Sequence, residues 1–229
     1  MSINKKISAI ILGAGHNSSS TLSNTTPTSL IKDQYGETVL KWVLNALRKN
    51  KINNIRFVGG FEIQKIGFNF PDLDFIYNPV WHKTGVLESL YQARKYINGP
   101  IIISYGDIVF TDEVVKRLIS NKDKDIVIAH EKKNLNHIYS GENVIKNVTV
   151  VENNNLIDIG FLKPTSKSTG EFIGVAYFNE NSSRILRDFL DNSYQNFVDK
   201  PFGQSNNIQS AYLTDLLRFF IKKRISISC

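Results

Sequence analysis

Short apolar runs alternate with amphipathic segments along the first 130 residues. Short runs rich in isoleucine, such as Lys6–Leu12 and Ile101–Ser104, are typical of strands that are buried on both faces. Between such runs, Thr38–Asn50 carries apolar residues three and four positions apart, as on one face of a helix. Strand, helix and strand in this order predict right-handed parallel units. The chain is therefore expected to be α/β, with a mostly parallel, Rossmann-like central sheet flanked by helices, and with ligands at the carboxyl ends of the strands.

The same periodicity places the remaining elements. Up to residue 130 it predicts strands at Lys6–Leu12, Ile52–Val58, Leu73–Tyr77, Ile101–Ser104 and Ile126–Ala129, and helices at Thr38–Asn50, Gly85–Ile97 and Asp112–Ser120. Beyond residue 130 it predicts antiparallel strands at Val144–Val151, Leu156–Phe161 and Phe172–Phe178, then helices at Ser182–Leu190 and Ile208–Lys222. We expect one domain, 1–229, with halves 1–130 and 131–229, the second forming an antiparallel extension of the sheet.

Composition excludes several classes of protein. At 229 residues and 41% hydrophobic, the chain can bury a sizeable core. Its longest apolar runs are far below the roughly 20 residues that cross a bilayer, and its first residues lack the apolar region of a secretory signal. The single cysteine, Cys229, allows no intrachain disulfide, which agrees with a reducing compartment. A cytoplasmic protein with no membrane partner is predicted.

The net charge of +7 raises the question of a nucleic-acid partner. The cations are scattered, without a basic run of five or more and without an aromatic-basic signature, so no nucleic-acid partner is predicted. A small phosphorylated ligand accounts for the same excess of positive charge.

The segment Gly13-Ala14-Gly15 directly follows the first predicted strand and precedes a run of Ser, Thr and Asn residues. Glycine lets an anion approach the backbone closely, so this segment can present N–H groups and hydroxyls to phosphates. It matches neither the dinucleotide fingerprint nor the P-loop, because no third glycine and no Gly-Lys-Ser/Thr follows. A tight turn followed by a polar surface loop stays open as the alternative.

Asp107 ends the buried strand that begins at Ile101. A carboxylate at the carboxyl end of a central strand lies at the ligand crevice, where it can hold Mg²⁺ against substrate phosphates. The alternative is a cap for the following helix, but Asp112 and Glu113 are better placed for that role. The sequence therefore favours a functional Asp107.

Asn78-Pro79 and Thr84-Gly85 precede the helix that starts near Val86. An amide side chain together with an open glycine backbone can read the edge of a nucleobase, and a helix N-terminus favours anions. Asn-Pro is also a common turn, and the residues alone do not decide between the two interpretations.

In this order, these segments resemble the nucleotidyltransferases that join a nucleoside triphosphate to a phosphorylated sugar, alcohol or phosphonate. The opening Ile10–Gly15, Pro27 with Ser29-Leu30, and Gly36–Leu40 match that family's first motif. Further segments look like the cytidylyltransferases that act on phosphocholine, aminoethylphosphonate and similar compounds, including domains linked to phosphoenolpyruvate mutases. These segments are Asn78-Pro79, Glu88-Ser89-Leu90, Ser104–Ile108 and Gly170–Gly174.

The resemblance implies the nucleotide-diphospho-sugar transferase fold and an enzyme that transfers a nucleotidyl group, CMP from CTP by the finer match, to a phosphorylated or phosphonate acceptor. It places the nucleotide in the 1–130 half and the acceptor in the 131–229 half. Asp107 would hold Mg²⁺ or Mn²⁺. The implied nucleotide-binding residues are Leu12, Gly13, Ala14, Gly15, Asn78, Thr84, Gly85 and Ser89, and the implied acceptor-binding residues are Lys163, Glu171 and Trp81. A homodimer is left open.

The sequence departs from the family where two cations usually neutralise the triphosphate. Ser19 and Thr28 stand at the positions of the loop Arg and the motif Lys. Lys32 is the predicted catalytic replacement, with His16 as an alternative. The family's second metal carboxylate follows a segment that resembles Ala211–Leu217, and Asp215 inside that segment is no replacement. A catalytically silent nucleotide-binding or partner-binding module is therefore the second hypothesis.

Two weaker candidates, Lys163 and Trp81, also have purely structural interpretations. Lys163 could approach an acceptor phosphate or be an ordinary loop lysine before Pro164. Trp81 is expected at a pocket wall, where its ring could face a quaternary ammonium group, and Trp42 is expected in the core.

Overall fold

The computed structural model describes residues 6–16, 25–121, 123–132, 145–162, 167–192 and 194–229. The strands in these ranges are β1 (Ser8–Gly13), β2 (Ile55–Gly59), β3 (Asp74–Tyr77), β4 (Ile101–Tyr105), β5 (Ile126–Lys132), β6 (Ile145–Glu152), β7 (Asn155–Leu162), β8 (Gly170–Phe178) and β9 (Ile227–Ser228). The helices are α1 (Val39–Lys49), α2 (Ile63–Asn69), α3 (Val86–Gln92), α4 (Asp112–Ser120), α5 (Glu180–Asn192) and α6 (Leu213–Lys222).

All nine described strands belong to one sheet, in the order β3-β2-β1-β4-β8-β5-β9-β7-β6. The strands β3, β2, β1 and β4 pair in parallel, with Ala9 opposite Ile55 on one side of β1 and opposite Ile102 on the other. The α/β class with an antiparallel extension is confirmed. The predicted division into 1–130 and 131–229 stays a prediction.

The central strand β1 is buried on both faces, as its isoleucine-rich run predicts. Ala9 and Ile11 pack into a cluster with the apolar residues of α1 and α4. Ile10 and Leu12 point to the other face and pack into a second cluster with α3, α5 and α6. Because side chains alternate along a strand, a continuous apolar run requires a core on each side of the sheet.

The antiparallel extension begins with β8, which lies between β4 and β5 and is antiparallel to both. From β8 the pairings run through β5, β9, β7 and β6, and β6 pairs again with β8. These five strands therefore pair around a closed circuit beside the parallel half. Leu156, Phe172 and Ile227 from this circuit belong to the second cluster.

Helix α1 shows how the local sequence fixes an element. The Thr38 hydroxyl accepts a hydrogen bond from the Lys41 amide, 3.2 Å away, which caps the first turn. Leu40, Val43, Leu44 and Leu47 are buried along one face. Trp42 lies on the opposite face with 40% of its surface exposed, so the expectation of a core tryptophan is wrong.

The observed helices and strands differ most from the predicted ones in four places. The helix expected over Gly85–Ile97 ends at Gln92 and continues as a 3₁₀ turn at Arg94–Tyr96. The last helix begins at Leu213, after a separate 3₁₀ turn at Ile208–Ser210. Helix α2 and strand β9 were not expected. No helix of the described ranges has both the length and the apolar character to cross a membrane.

Candidate functional site

The carboxyl ends of β1 and β4 are joined directly. The Gly106 amide donates a 2.8 Å hydrogen bond to the Leu12 carbonyl, and the Ser29 hydroxyl donates a 2.8 Å hydrogen bond to the Gly106 carbonyl. A Cβ atom at Gly106 would lie 2.9 Å from the Gly13 Cα, so only glycine allows this approach. The two motif segments therefore meet at one point of the sheet edge.

Gly13, the last residue of β1, and the two residues after it have different surroundings. A Cβ at Gly13 would overlap the Phe57 ring, and the Ala14 carbonyl accepts a 3.0 Å hydrogen bond from the Phe61 amide. At Gly15 a Cβ would meet no described atom within 4 Å, and the residue is exposed. Packing thus explains the glycine at 13, whereas nothing in the described fold requires the glycine at 15. An open backbone at Gly15 is what close approach of an anion needs.

A cavity of about 400 Å³ lies at this edge of the sheet. It is lined by Leu12, Gly13, Gly15, His16, Thr28, Ser29, Val86, Tyr105, Asp107, Asn147, Phe161 and Tyr212. The position agrees with the expected ligand crevice of an open parallel sheet. Of the predicted site residues, the structure brings Leu12, Gly13, Gly15 and Asp107 together here, while Ala14 is buried behind them.

Asp107 supplies the carboxylate that lines this cavity. Its surface is exposed toward the crevice, yet protein surrounds the carboxyl on its other sides, and this desolvation raises the pKa of Asp107 above its ordinary value. The described residues offer it no ion pair. A cation that arrives with a ligand would therefore stabilise the ionised Asp107 carboxylate.

The donor set limits how a metal could be held. Among the described residues no group of three or more His, Cys, Asp or Glu side chains could hold a metal ion. A single carboxylate fits Mg²⁺ that is shared with substrate phosphates, since Mg²⁺ is usually bound through one or two carboxylates plus phosphate oxygens. It does not fit a metal held by protein ligands alone.

The described lining of the cavity is poor in fixed positive charge. Neither lysine nor arginine occurs among its described lining residues, and His16 is the only lining residue that can become cationic. The His16 ring packs against Phe61 with centroids 4.3 Å apart. Thr28 lines the cavity at the first position of a 3₁₀ turn, where the resemblance expects a lysine, and Ser19 lies outside the described residues.

Asn78 lies in the interior and not on the cavity wall. Its side-chain N–H groups donate to the Ser89 hydroxyl at 3.1 Å and the Thr84 hydroxyl at 3.4 Å. Its side-chain oxygen accepts from the Val80 backbone N–H at 3.0 Å. The side chain is fully buried. These contacts give Asn78, Thr84 and Ser89 a structural role in shaping the loop before α3, and base reading by them stays a prediction.

Gly85 has a packing role as well. A Cβ at this residue would lie 2.7 Å from the backbone of Ser210, and the Gly85 amide donates a 2.6 Å hydrogen bond to the Gln209 carbonyl. The loop before α3 is thereby joined to the 3₁₀ turn before α6. Val86, the next residue, does reach the cavity.

Three other predicted residues lie elsewhere. Lys32 forms a β-bridge with Thr38 and lines a different depression beside α1, so the structure does not bring it to the cavity. Trp81 packs against Phe61 with centroids 5.5 Å apart and does not line the cavity. Glu171 lies on β8 opposite Glu131 and also outside the lining. Lys163 is outside the described residues, and the roles of all four stay predictions.

Sequence reasoning missed the residues that the second half of the chain contributes. Asn147, Phe161 and Tyr212 line the cavity together with Tyr105, whose pKa is raised by burial, so that its phenol stays protonated. Only the Asn in the strand pattern of β6 was a visible signal. No local sequence pattern predicts the strand pairings that bring these residues close to β1.

Comparison with known proteins gives consistent matches. The family of MobA-like NTP transferase domains matches residues 9–153. A CTP:phosphoglutamine cytidylyltransferase of Campylobacter jejuni is 23% identical over 236 residues, which cover 95% of this chain and 89% of that protein.

Two solved structures share the fold at 15% sequence identity. The CTP:phosphocholine cytidylyltransferase from Streptococcus pneumoniae has a TM-score of 0.73 and covers 98% of this chain and 89% of its own. The inositol-1-phosphate CTP transferase from T. maritima has a TM-score of 0.72, with 96% and 83% covered.

Proposed function

The chain belongs to the family of MobA-like NTP transferase domains, and on that premise we propose that it transfers CMP from CTP to a small phosphorylated or phosphonate acceptor. An oxygen of the acceptor phosphate attacks the α-phosphorus of CTP, a new P–O bond forms, and the bond to the leaving pyrophosphate breaks. The relative from Campylobacter jejuni and the two solved structures are named for CTP, which supports the choice of nucleotide.

One observation carries the proposal. The open backbone at Gly15 and the unpaired carboxylate of Asp107 line the same cavity, because the Leu12–Gly106 hydrogen bond joins the ends of β1 and β4. A triphosphate needs backbone N–H donors for its oxygens and a carboxylate that shares its counterion. Both are present in a cavity of about 400 Å³.

The described residues of the cavity are suited to holding and aligning the substrates, and not to forming a covalent intermediate. Gly13, Gly15 and the Thr28 hydroxyl would hold the phosphates, and Asp107 would hold Mg²⁺, which neutralises charge on the triphosphate when bound. Asn78 and Gly85 would act on the base through the loop that ends at Val86. Transfer of this kind depends mainly on alignment and charge stabilisation, so a site without a nucleophile of its own is adequate.

A second function has one observation in its favour. The described lining contains neither lysine nor arginine, although a leaving pyrophosphate develops negative charge. A module that binds CTP without turnover would need only the phosphate and metal contacts. The two hypotheses differ in one measurable property, pyrophosphate release.

The test measures pyrophosphate release with Mg²⁺ and each of CTP, UTP, ATP and GTP, against a panel of phosphocholine, phosphoglutamine, inositol 1-phosphate and glucose 1-phosphate. We expect turnover with CTP and at least one acceptor, and loss of Mg²⁺-dependent CTP affinity in Asp107→Asn. Calorimetry should show CTP and UTP binding more tightly than the purine nucleotides, because a site closed around the smaller ring excludes the larger one.

The outcomes separate the hypotheses. CTP binding without turnover supports the silent module, and turnover gained by Thr28→Lys, alone or with Ser19→Arg, would identify a transferase that has lost its cations. Absence of both CTP binding and turnover would overturn both functions. Equal affinity for all four nucleotides would remove the base-reading role of the loop before α3.

A further inference from the structure

Three residues from the second half of the chain line the cavity, and we call them the far wall: Asn147, Phe161 and Tyr212. The Phe161 and Tyr212 rings meet edge to face, with centroids 5.3 Å apart. None of the three belongs to the glycine segments or to the strand that carries Asp107. If CTP is held by those segments, the far wall is left for the other reactant.

The two aromatic residues of the far wall share one hydrogen-bonded support. The Gln204 side chain exchanges two hydrogen bonds with the Phe161 backbone, each 2.8 Å long. The Gln204 backbone N–H donates to Asp215 Oδ1 at 2.6 Å, and Asp215 Oδ2 accepts from the Tyr212 backbone N–H at 3.0 Å. Asp215 is 1% exposed, and a Cβ at Gly160 would overlap the Gln204 carboxamide. The backbone positions from which the two rings project are therefore joined through Gln204 and Asp215.

Asn147 is presented differently, by a β-bulge. Ile145 pairs with Leu162 and Val148 with Gly160, so two residues of β6 stand opposite Phe161 alone. Asn147 has a φ of 61°, in the left-handed region that residues other than glycine, asparagine and aspartate rarely adopt. A bulge changes the direction of the side chains it carries, and this one brings Asn147 to the cavity.

The hydrogen-bonding capacity of the Asn147 carboxamide is not used by any of the described residues. Within the described ranges, no hydrogen bond joins its side chain to another residue, whereas the Gln204 and Asp215 groups behind the far wall are all engaged. A carboxamide can donate two hydrogen bonds and accept two. The ligand group that matches this carboxamide is a neutral group that both donates and accepts hydrogen bonds.

We propose that Asn147 selects the acceptor by hydrogen-bonding a hydroxyl or carboxamide at the end remote from the phosphate, while the acceptor's carbon frame lies against Phe161 and Tyr212. The assignment rests on the proposed function. A quaternary ammonium group carries no N–H and accepts no hydrogen bond, so it leaves the Asn147 amide unsatisfied. Acceptors of the phosphocholine type are therefore disfavoured.

The test compares Asn147→Gly with Asn153→Gly. Both substitutions remove a carboxamide at a positive φ, 61° at Asn147 and 50° at Asn153, and glycine keeps either backbone unstrained. Asn153 lies at the turn between β6 and β7, outside the cavity. KM for acceptor, KM for CTP and kcat are measured with the panel named above, and urea midpoints report the stability of each variant.

We expect the wild-type protein to prefer inositol 1-phosphate, glucose 1-phosphate or phosphoglutamine over phosphocholine. In Asn147→Gly, kcat/KM for the preferred acceptor should fall by roughly three- to tenfold, the effect of one neutral hydrogen bond, with KM for CTP unchanged. Asn147→Asp, which also tolerates the left-handed conformation, should lose the donor and lower the same constant. Asn153→Gly should leave all constants unchanged.

Four results would overturn the assignment. A preference for phosphocholine, or a kcat/KM for the acceptor unaffected by Asn147→Gly, removes Asn147 from recognition while the nucleotidyl transfer itself stands. Absence of turnover with every nucleotide and acceptor removes the proposed function, and the selection with it. A fall in kcat/KM matched by Asn153→Gly would show that the effect comes from the hairpin and not from the cavity.

Discussion

The two glycines at the site should respond in opposite ways to the same added methyl group. At Gly106 a Cβ would lie 2.9 Å from the Gly13 Cα and 3.3 Å from the Gly13 amide nitrogen and the Leu12 carbonyl oxygen. These are backbone atoms of the central strand, which cannot move away as a flexible side chain can. Forcing a methyl group into a packed region costs about 1–3 kcal/mol. Gly106→Ala should therefore be clearly destabilised.

At Gly15 the same change meets no described atom within 4 Å. Gly15→Ala should be neutral, or more stable by up to about 1 kcal/mol because alanine restricts the unfolded chain. Its methyl group would instead stand where a phosphate is expected to approach the backbone. We predict weaker CTP binding with unchanged stability.

Urea denaturation and calorimetry with CTP and Mg²⁺ separate these effects. With an m value of about 2 kcal/mol/M, a loss of about 2 kcal/mol lowers the midpoint of Gly106→Ala by about 1 M. The midpoint of Gly15→Ala should equal or exceed that of the wild type. An unchanged midpoint for Gly106→Ala would refute the close approach of the strands, and unchanged CTP affinity for Gly15→Ala would refute the phosphate role of that segment.

Three further predictions follow from single side chains. Desolvation raises the pKa of Asp107, so the ionised carboxylate opposes folding. Asp107→Asn should therefore be at least as stable as the wild type near neutral pH, and the difference should vanish below the ordinary carboxyl pKa of about 4. A variant less stable than the wild type at neutral pH would contradict this. Tyr194→Phe removes the 2.7 Å hydrogen bond to the buried Glu88 carboxylate and should cost about 1–3 kcal/mol in urea denaturation, so an unaltered midpoint would exclude that contact. Burial raises the pKa of Cys229 to about 12, so a thiol reagent at about pH 8 should react slowly with the folded protein and rapidly in denaturant; equal rates would show an accessible thiolate.

The parallel half of the fold was predictable because its determinants are local. The buried run of β1 and the helical spacing of α1 each appear in a window shorter than fifteen residues, and their observed bounds differ from the expected ones by one or two residues. Strand β9 has only two residues, too few for any periodicity. Its presence depends on β5 and β7, which lie far away in the sequence.

The place of the candidate site in the sheet was predictable, because its segments lie at the ends of parallel strands. Gly13, Gly15 and Asp107 follow buried strands, and adjacent parallel strands bring their carboxyl ends together. Asn78 was harder to interpret, because a buried amide that holds a turn and an amide that reads a base have the same sequence signature. The position of Lys32 depends on the bridge to Thr38, a contact that sequence spacing does not reveal.

The closed circuit of five strands also constrains how the chain can acquire its structure. Strand β9 joins β5 to β7 through Ile227 and Ser228, so this connection cannot form until residue 228 has been synthesised. Until then, the edges of β5 and β7 carry unpaired backbone groups in an otherwise assembled sheet. Open edges of this kind recruit strands from other chains. The nascent protein should therefore be most prone to aggregate before Ile227 and Ser228 are available, and these two residues should govern the yield of folded protein more than their small buried area suggests.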